Sequence, residues 1–458
     1  MRRLRTSTAL TALLAAGLTP LTLTAPAAHA AAAKYADDFN GDGYRDYAYG
    51  GYDYDASGGA GAVTVVFGTA TGPGTKTQVI HQGSAGVPGG NEEDDGFGDT
   101  LAGADFNRDG YADLAVGAPG EDVSGRTDQG AVTVLWGSAS GLKGGTTVPN
   151  KGAKQSYGRF GSDLATGDFN GDGKPDLAAI SASKAYVYRG SITKSGGVTG
   201  SVTTLDKSSS AFNAYGVIAG KVTKDSATDL VILGTVATPG TTASDAWFIR
   251  GGSTLKKGST LRIDKTHTGV GDGVIADFNK DGYGDIAIGN PVDAGYKGEV
   301  TVWKGGSTGP GTTSTRITQA TSGVSGTPEA DDWFGASLSA ADVTGDGYAD
   351  LAIGAYGEKL NGIAYAGGVH ILKGSSRGLT GTGSQWFARN TAGVPGSLQA
   401  DDTFGYAVRL RDTDADGHAD LFVSGTQSSL RLPGTSSGIT TTGVTQLSSN
   451  DVVSGFLQ

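Results

Sequence analysis

Asp105 to Leu114 reads DFNRDGYADL, and a stretch of the same form recurs along the 458-residue chain. It appears as DFNGDGYRD from Asp38, DFNGDGKPD from Asp168, DFNKDGYGD from Asp277, DVTGDGYAD from Asp342 and DTDADGHAD from Asp412. A seventh, eroded copy, KVTKDSATD from Lys221, keeps only Asp225 and Asp229 of the acidic positions. Successive copies start 67, 63, 53, 56, 65 and 70 residues apart. Self-similarity at a near-constant period marks a repeat architecture, in which each unit buries its apolar face against its neighbours. Every other feature has to fit a fold of seven like units.

The residue types within a copy point to a hard cation. Oxygen-bearing side chains stand at positions 1, 3 and 5, a glycine at 6 allows a sharp turn, and a backbone carbonyl follows at 7. An Asp at position 9 closes the loop, and the flanks LAGAD and LAVGAP read as strands, unlike the helices of an EF-hand. Three or four carboxylates within nine residues repel one another without a cation, so six calcium sites are expected. The ligands are Asp38, Asn40, Asp42, Tyr44 and Asp46; Asp105, Asn107, Asp109, Tyr111 and Asp113; and Asp168, Asn170, Asp172, Lys174 and Asp176. The later loops supply Asp277, Asn279, Asp281, Tyr283 and Asp285; Asp342, Thr344, Asp346, Tyr348 and Asp350; and Asp412, Asp414, Asp416, His418 and Asp420. The residue at position 7 contributes its carbonyl. Thr344 predicts a weaker site, and the Lys221 copy is expected to be empty, with its ammonium near the metal position.

Between the loops run short β-branched segments such as VTVVFG, AVTVLWG, EVTVWKG and GVHILKG, evenly punctuated by Gly and Ser. No long apolar segment of 3.6-residue period follows the first 30 residues, so the chain is expected to be all-β. Each repeat opens with FG, followed by a strand of about seven residues, the loop, a second strand and a variable connector. A third strand, a GSxSG-like turn and a weak fourth strand complete it. Four antiparallel strands in each of seven units predict a seven-bladed β-propeller. Phe97, Phe160, Phe334 and Phe404 carry the FG pairs and are expected between blades, each glycine letting two sheets approach. Tyr215-Gly216 is a shifted variant, and the first copy has no FG of its own. Gly455-Phe456 near the C-terminus offers a substitute, so that segment is expected to pair with the first blade and close the ring.

The opening MRRLRTSTALTALLAAGLTPLTLTAPAAHA has basic residues, a short apolar run broken at Pro20, and Ala28-His29-Ala30. This predicts a signal peptide over 1–30, a mature propeller over 31–458, export, and no membrane span. The chain has no cysteine, so bound metal is an available staple for an exported protein. Without Arg2, Arg3 and Arg5, 32 basic residues face 46 acidic ones, a net charge of −14. Eighteen of those acids are the Asp residues at positions 1, 5 and 9 of the six loops, and six calcium ions would nearly cancel the charge. Such a surface excludes nucleic acid as partner.

Phe97-Gly98, the loop from Asp105 to Leu114 and Gly117-Ala118-Pro119 together resemble the FG-GAP repeats of integrin alpha-chain propellers and their bacterial relatives. The GAP element is looser elsewhere, as in Gly289-Asn290-Pro291 and Gly354-Ala355-Tyr356. The resemblance implies calcium loops on one face and ligand contact on the opposite one. It suggests an adhesion module, although this chain carries six good loops where animal propellers have fewer.

Antiparallel order places the loops on one face with the turns between strands 3 and 4. The other face collects the longer connectors: Gly51-Tyr52-Asp53-Tyr54-Asp55, Gly120-Glu121-Asp122 and Tyr356 to Tyr365. Three of them carry EEDDGFG at Glu92, EADDWFG at Glu329 and QADDTFG at Gln399. These marks suit either an acidic surface bearing Trp333, for a glycan or a basic partner, or Asp residues that cap a turn. Trp136 and Trp303 fall in third strands and are expected in the core. GSSRG at Gly374 and GTSSG at Gly434 match a nucleophile elbow but lie in the strand 3–4 turns, without strand–turn–helix context. His81, His267, His370 and His418 are scattered. The expected function is a monomeric binding module for an extracellular glycan or protein, with no catalytic constellation. The alternatives are a lectin or a glycan-active hydrolase or lyase on the connector face, which needs two carboxylates converging near the axis, and a plain scaffold.

Overall fold

The computed structural model describes residues 32–51, 60–152, 154–190, 192–238, 240–268, 271–449 and 453–457. The segment expected to be a signal peptide and the connector Tyr52-Asp53-Tyr54-Asp55 lie outside them. The chain forms seven four-stranded antiparallel sheets, six of them simple meanders, arranged as the blades of a propeller. Blade 2 shows the pattern: Thr100–Ala104, Asp113–Ala118, Ala131–Trp136 and Lys143–Thr147. The first strands of blades 3 to 7 are Leu164–Gly167, Phe212–Gly220, Gly273–Ala276, Leu338–Ala341 and Val408–Arg411. Neighbouring first strands lie against one another around the axis.

Second strands such as DLAVGA, DIAIGN and DLAIGA are buried along their whole length, because adjacent blades cover both their faces. This is why they read as unbroken apolar runs instead of alternating. The first strands are shorter than their expected seven residues: four or five in most blades and nine in blade 4. The reason lies in the FG pair, which turns the chain instead of extending it. Gly98, Gly161, Gly335 and Gly405 have φ of 101°, 90°, 91° and 94°, a region open to glycine at little cost. The Phe97 N–H bonds to the Ala60 carbonyl of the preceding blade at 2.9 Å, and Phe160 does the same with Gln129.

FG and GAP are two halves of one contact. A Cβ on Gly117 would lie 2.2 Å from the Gly161 carbonyl, and one on Gly354 would lie 2.2 Å from that of Gly405. A GAP glycine in one blade thus seats the FG glycine of the next. The four FG phenylalanines, with Trp136 and Trp303, are buried as expected.

Blade 1 takes Tyr47–Gly51, Ala62–Thr69 and Gly72–Ile80 from the N-terminal part and Val453–Phe456 as its first strand. Gly50 faces Gly455 and Tyr49 faces Phe456 across an antiparallel ladder. The ring closes as expected, by strands from its two ends. Asp37 reinforces the seam: it is buried and accepts from Arg45 at 2.9 Å and from Arg411 Nε at 2.8 Å.

Candidate metal loops and the connector face

All seven loops join strands 1 and 2 of a blade, or take that place in blade 1, and share a face with the strand 3–4 turns. In the acidic copies the backbone is left-handed at positions 4 and 6. Gly110, Gly282 and Gly417 at position 6 have φ of 93°, 82° and 89°. That curl turns the loop amides inward. The position-1 carboxylate accepts from the position-5 and position-6 N–H groups, as Asp277 does from Asp281 at 3.1 Å and Gly282 at 2.7 Å. Position 3 accepts from position 5 (Asn40 from Asp42, 2.9 Å), and position 5 from position 7 (Asp42 from Tyr44, 3.0 Å). Asn107, Asn170 and Asn279 repeat the position-3 bond. Asp109, Asp172, Asp281, Asp346 and Asp416 repeat the position-5 bond.

Position 9 behaves differently. Asp46, Asp113, Asp176, Asp285, Asp350 and Asp420 are buried. One oxygen of each accepts an N–H from the strand 3–4 turn of the same blade, at 2.7–3.1 Å. In most loops the other oxygen takes the N–H of position 2, as with Phe39, Phe106, Phe169 and Val343. Asp229 of the eroded copy also accepts from its turn, through Gly251, but its other oxygen takes the N–H and hydroxyl of Thr223 at position 3 in place of position 2. Position 9 is therefore a clamp that ties the loop to the strand 3–4 turn, also in the copy that keeps only Asp225 and Asp229 of the acidic positions.

The loops are also stitched to one another. The position-8 N–H of one loop donates to the position-1 carbonyl of the loop before: Ala112 to Asp38, Thr228 to Asp168, Gly284 to Lys221, Ala349 to Asp277 and Ala419 to Asp342, at 2.7–3.2 Å. Blade 3 has Pro175 at that position and no N–H to give.

Blade 7 brings Asp412, Asp414 and Asp416 together, with ligand atoms all within 4.8 Å. Among the described residues this is the one group of three or more such side chains at that spacing. Asp412 Oδ1 and Asp414 Oδ1 are buried without a hydrogen-bond partner, as is Thr344 Oγ1 in blade 6. Unpaired buried oxygens of this kind fit a hard cation. Arg431 donates to Asp414 at 2.6 Å and to Asp420 at 2.9 Å. In blade 4 the Lys221 ammonium reaches into its own loop and donates to the carbonyls of Ser226 and Asp225.

The connector face carries a row of aromatic rings drawn from three blades. Tyr296 and Trp333 have centroids 4.6 Å apart, Trp333 and Tyr356 stack at 5.6 Å, and Tyr356 meets Tyr406 edge-on at 5.4 Å. The outer rings, Tyr296 and Tyr406, are 43% and 47% exposed. From the sequence Trp333 stands out as an aromatic mark and Tyr356 only as part of a connector, because the four residues are spread over three repeats. The acidic marks beside the row divide by position. The second Asp of each (Asp95, Asp332, Asp402) is buried. Asp95 and Asp332 accept from Glu92 N–H at 2.9 Å and Glu329 N–H at 2.5 Å, the turn-capping role. GSSRG and GTSSG form strand 3–4 turns, with the N–H groups of Gly374 and Gly434 on their clamp carboxylates.

The FG-GAP repeat model matches residues 97–135, 160–199, 271–303 and 334–372. The phosphatidylinositol-glycan-specific phospholipase D of Bos taurus is 38% identical over 154 residues, 30% of this chain and 18% of that protein. Integrin alpha-PS2 of Drosophila melanogaster is 42% identical over 88 residues, 18% of this chain and 6% of that one. The chain thus spans less than a fifth of these relatives. Among solved structures, BBS1N in complex with ARL6DN has a TM-score of 0.48 at 10% identity, covering 86% of this chain and 89% of that one.

Proposed function

We propose that this seven-bladed propeller, which carries four FG-GAP repeats and is related in part to integrin alpha chains, is an exported, calcium-stabilised, monomeric module that binds an extracellular ligand. The aromatic row Tyr296–Trp333–Tyr356–Tyr406 carries this reading. A continuous line of rings whose two ends are left exposed is costly to hydrate and suits the apolar faces of sugar rings or an aromatic-seeking peptide. Calcium would sit in the six acidic loops, held by positions 1, 3 and 5 and the position-7 carbonyl. It would neutralise the carboxylates and fix the hairpin on the face away from the ligand.

The test is retention and turnover against a panel of polysaccharides and extracellular proteins in millimolar calcium. Retention of one class without product, lost in Tyr296→Ala/Tyr406→Ala, is the expected result. Retention unchanged in that variant would move the binding site elsewhere, and no retention at all would favour a scaffold.

A second reading, a glycan-active hydrolase or lyase, rests on the axial cavity. It encloses about 290 Å³ between first strands, and its charged lining groups are Asp163, Asp272 and Arg409. Burial, with a smaller contribution from the charge of Asp272, pushes Asp163 up to about 7. Its carboxylate already accepts from Val217 N–H at 2.7 Å and Leu164 N–H at 2.9 Å, a structural occupation, so the binding module leads. New reducing ends or unsaturated sugars, abolished in Asp163→Asn, would reverse that order.

A further inference from the structure

The acidic marks on the connector face build two buried clusters that the aromatic row does not use. Between blades 5 and 6, Gln319 ends one blade, Asp332 lies in the connector to the next, and Glu358 follows that blade's second strand. Gln319 Nε2 donates to Glu358 Oε2 at 2.6 Å. Between blades 1 and 2 the same places hold Gln82, Asp95 and Glu121, with Gln82 donating to Glu121. All six side chains are at least nine-tenths buried. Each cluster therefore holds two carboxyls and a neutral amide.

The amide itself points to a missing partner. Gln82 and Gln319 are 4% and 2% exposed, and the Oε1 of each has no hydrogen-bond partner. A buried amide carbonyl at the edge of two carboxylates is an oxygen without a donor, and leaving it so is costly. Turning the amide over would bring that oxygen to the carboxylate side without changing its shape.

The junction of blades 6 and 7 gives an internal control. There Arg389 takes the place of the Gln, and Gln427 that of the Glu. The guanidinium, fully buried, donates to Asp402 at 2.8 Å and to the Ser428 carbonyl at 2.7 Å. Gln427 N–H completes the Asp402 carboxylate at 2.9 Å. Where the chain supplies its own cation, the second acid is gone; where both acids remain, no Lys or Arg ion pair to them is found among the described residues. Uncompensated buried carboxylates are avoided in proteins.

We infer that the Gln82–Asp95–Glu121 and Gln319–Asp332–Glu358 clusters each bind one hard metal cation, through two carboxylates and an amide oxygen, on the face opposite the acidic loops. The net charge of −2 in each matches a divalent ion, and oxygen-only ligation matches calcium. Burial pushes Glu358 up to about 7, with the charge of Asp332 adding, and pushes Asp332 to about 6 against the Glu329 N–H bond and the charge of Lys297, so a proton is the competing occupant. These sites stand apart from the six loops proposed above and need none of them.

The experiment counts calcium bound at equilibrium by radioactive-calcium dialysis of the full chain. The variants are Gln319→Arg/Glu358→Gln, which copies the blade 6–7 junction, and the corresponding Gln82→Arg/Glu121→Gln. Each is expected to bind one ion fewer than the parent, and their combination two fewer. Isosteric Glu358→Gln alone serves if the paired change fails to fold, with the same loss of one. An unchanged count, with a melting temperature in chelator that rises less from pH 8 to pH 5 in the variants than in the parent, would overturn the proposal in favour of a shared proton. Should the acidic loops bind nothing, the parent count would be two and the combined variant zero, which separates the failure of that reading from this one.

Discussion

The loops of blade 4 and blade 7 occupy equivalent places in the ring and solve the same electrostatic problem in different ways. In blade 7, Asp412, Asp414 and Asp416 converge, two of their oxygens lack partners, and Arg431 neutralises part of the charge. In blade 4 the acids at positions 1 and 3 are Lys221 and Thr223, the ammonium fills the loop, and Arg250 takes Asp225 at 2.9 Å. Both keep the clamp: Asp420 joins the position-2 N–H, and Asp229 the position-3 N–H, to the turn between strands 3 and 4. Joining the hairpin therefore does not depend on the acids at positions 1 and 3. A fixed ammonium can replace the cation, whereas nothing in the chain replaces the clamp.

Removing calcium with a chelator should have the largest effect, lowering the melting temperature by on the order of 10 °C if several sites are each linked to folding. An unchanged melt would erase the contrast between the two loops. Next is Asp229→Ala, expected to cost about 3 kcal/mol because it strands two buried N–H groups. In denaturant titrations its cost should be the same with calcium or chelator; a calcium-dependent cost would show the clamp and the seat to be one device. Converting the blade 4 loop with Lys221→Asp/Ser226→Gly should add one calcium in dialysis and make its stability calcium-dependent, with a loss of about 1 kcal/mol in chelator. An unchanged count would mean that Arg250 holds the loop against the ion.

The smallest expected effect is a pH dependence in chelator. Burial pushes the clamp carboxyls Asp46 and Asp113 up to about 7, above their unfolded value. The folded state then binds protons that the unfolded state releases, so stability should rise as pH falls from 8 towards 5. A melting temperature flat over that range would assign the clamps ordinary carboxylate behaviour.

Much of the fold was legible because its determinants are local. The DFNGDG spacing, the FG pair and the β-branched runs each sit within a dozen residues, and the absent first FG pointed to Gly455-Phe456. What escaped were partners set by the ring. The match of Gly117 to the Gly161 carbonyl is an inter-blade contact with no local signature. The aromatic row has members in three blades, spaced by connectors of unequal length. The turn contacts of position 9 were hidden for the same reason, because spacing records where an oxygen stands, not which amides reach it. The Gln-to-Arg change at position 389 was likewise invisible until Asp402 lay beside it.

The closing strand has a kinetic consequence. Asp37 and Arg411, which meet at the seam, are 374 positions apart in the chain, whereas most other strand pairs form within one repeat. Entropy of loop closure falls most heavily on such a contact, and slow folding goes with it. Six blades can zip up from neighbour to neighbour while blade 1 waits for the strand that completes it. The same seam is where force applied at the two ends would first act, peeling one strand from the ring before any blade unravels.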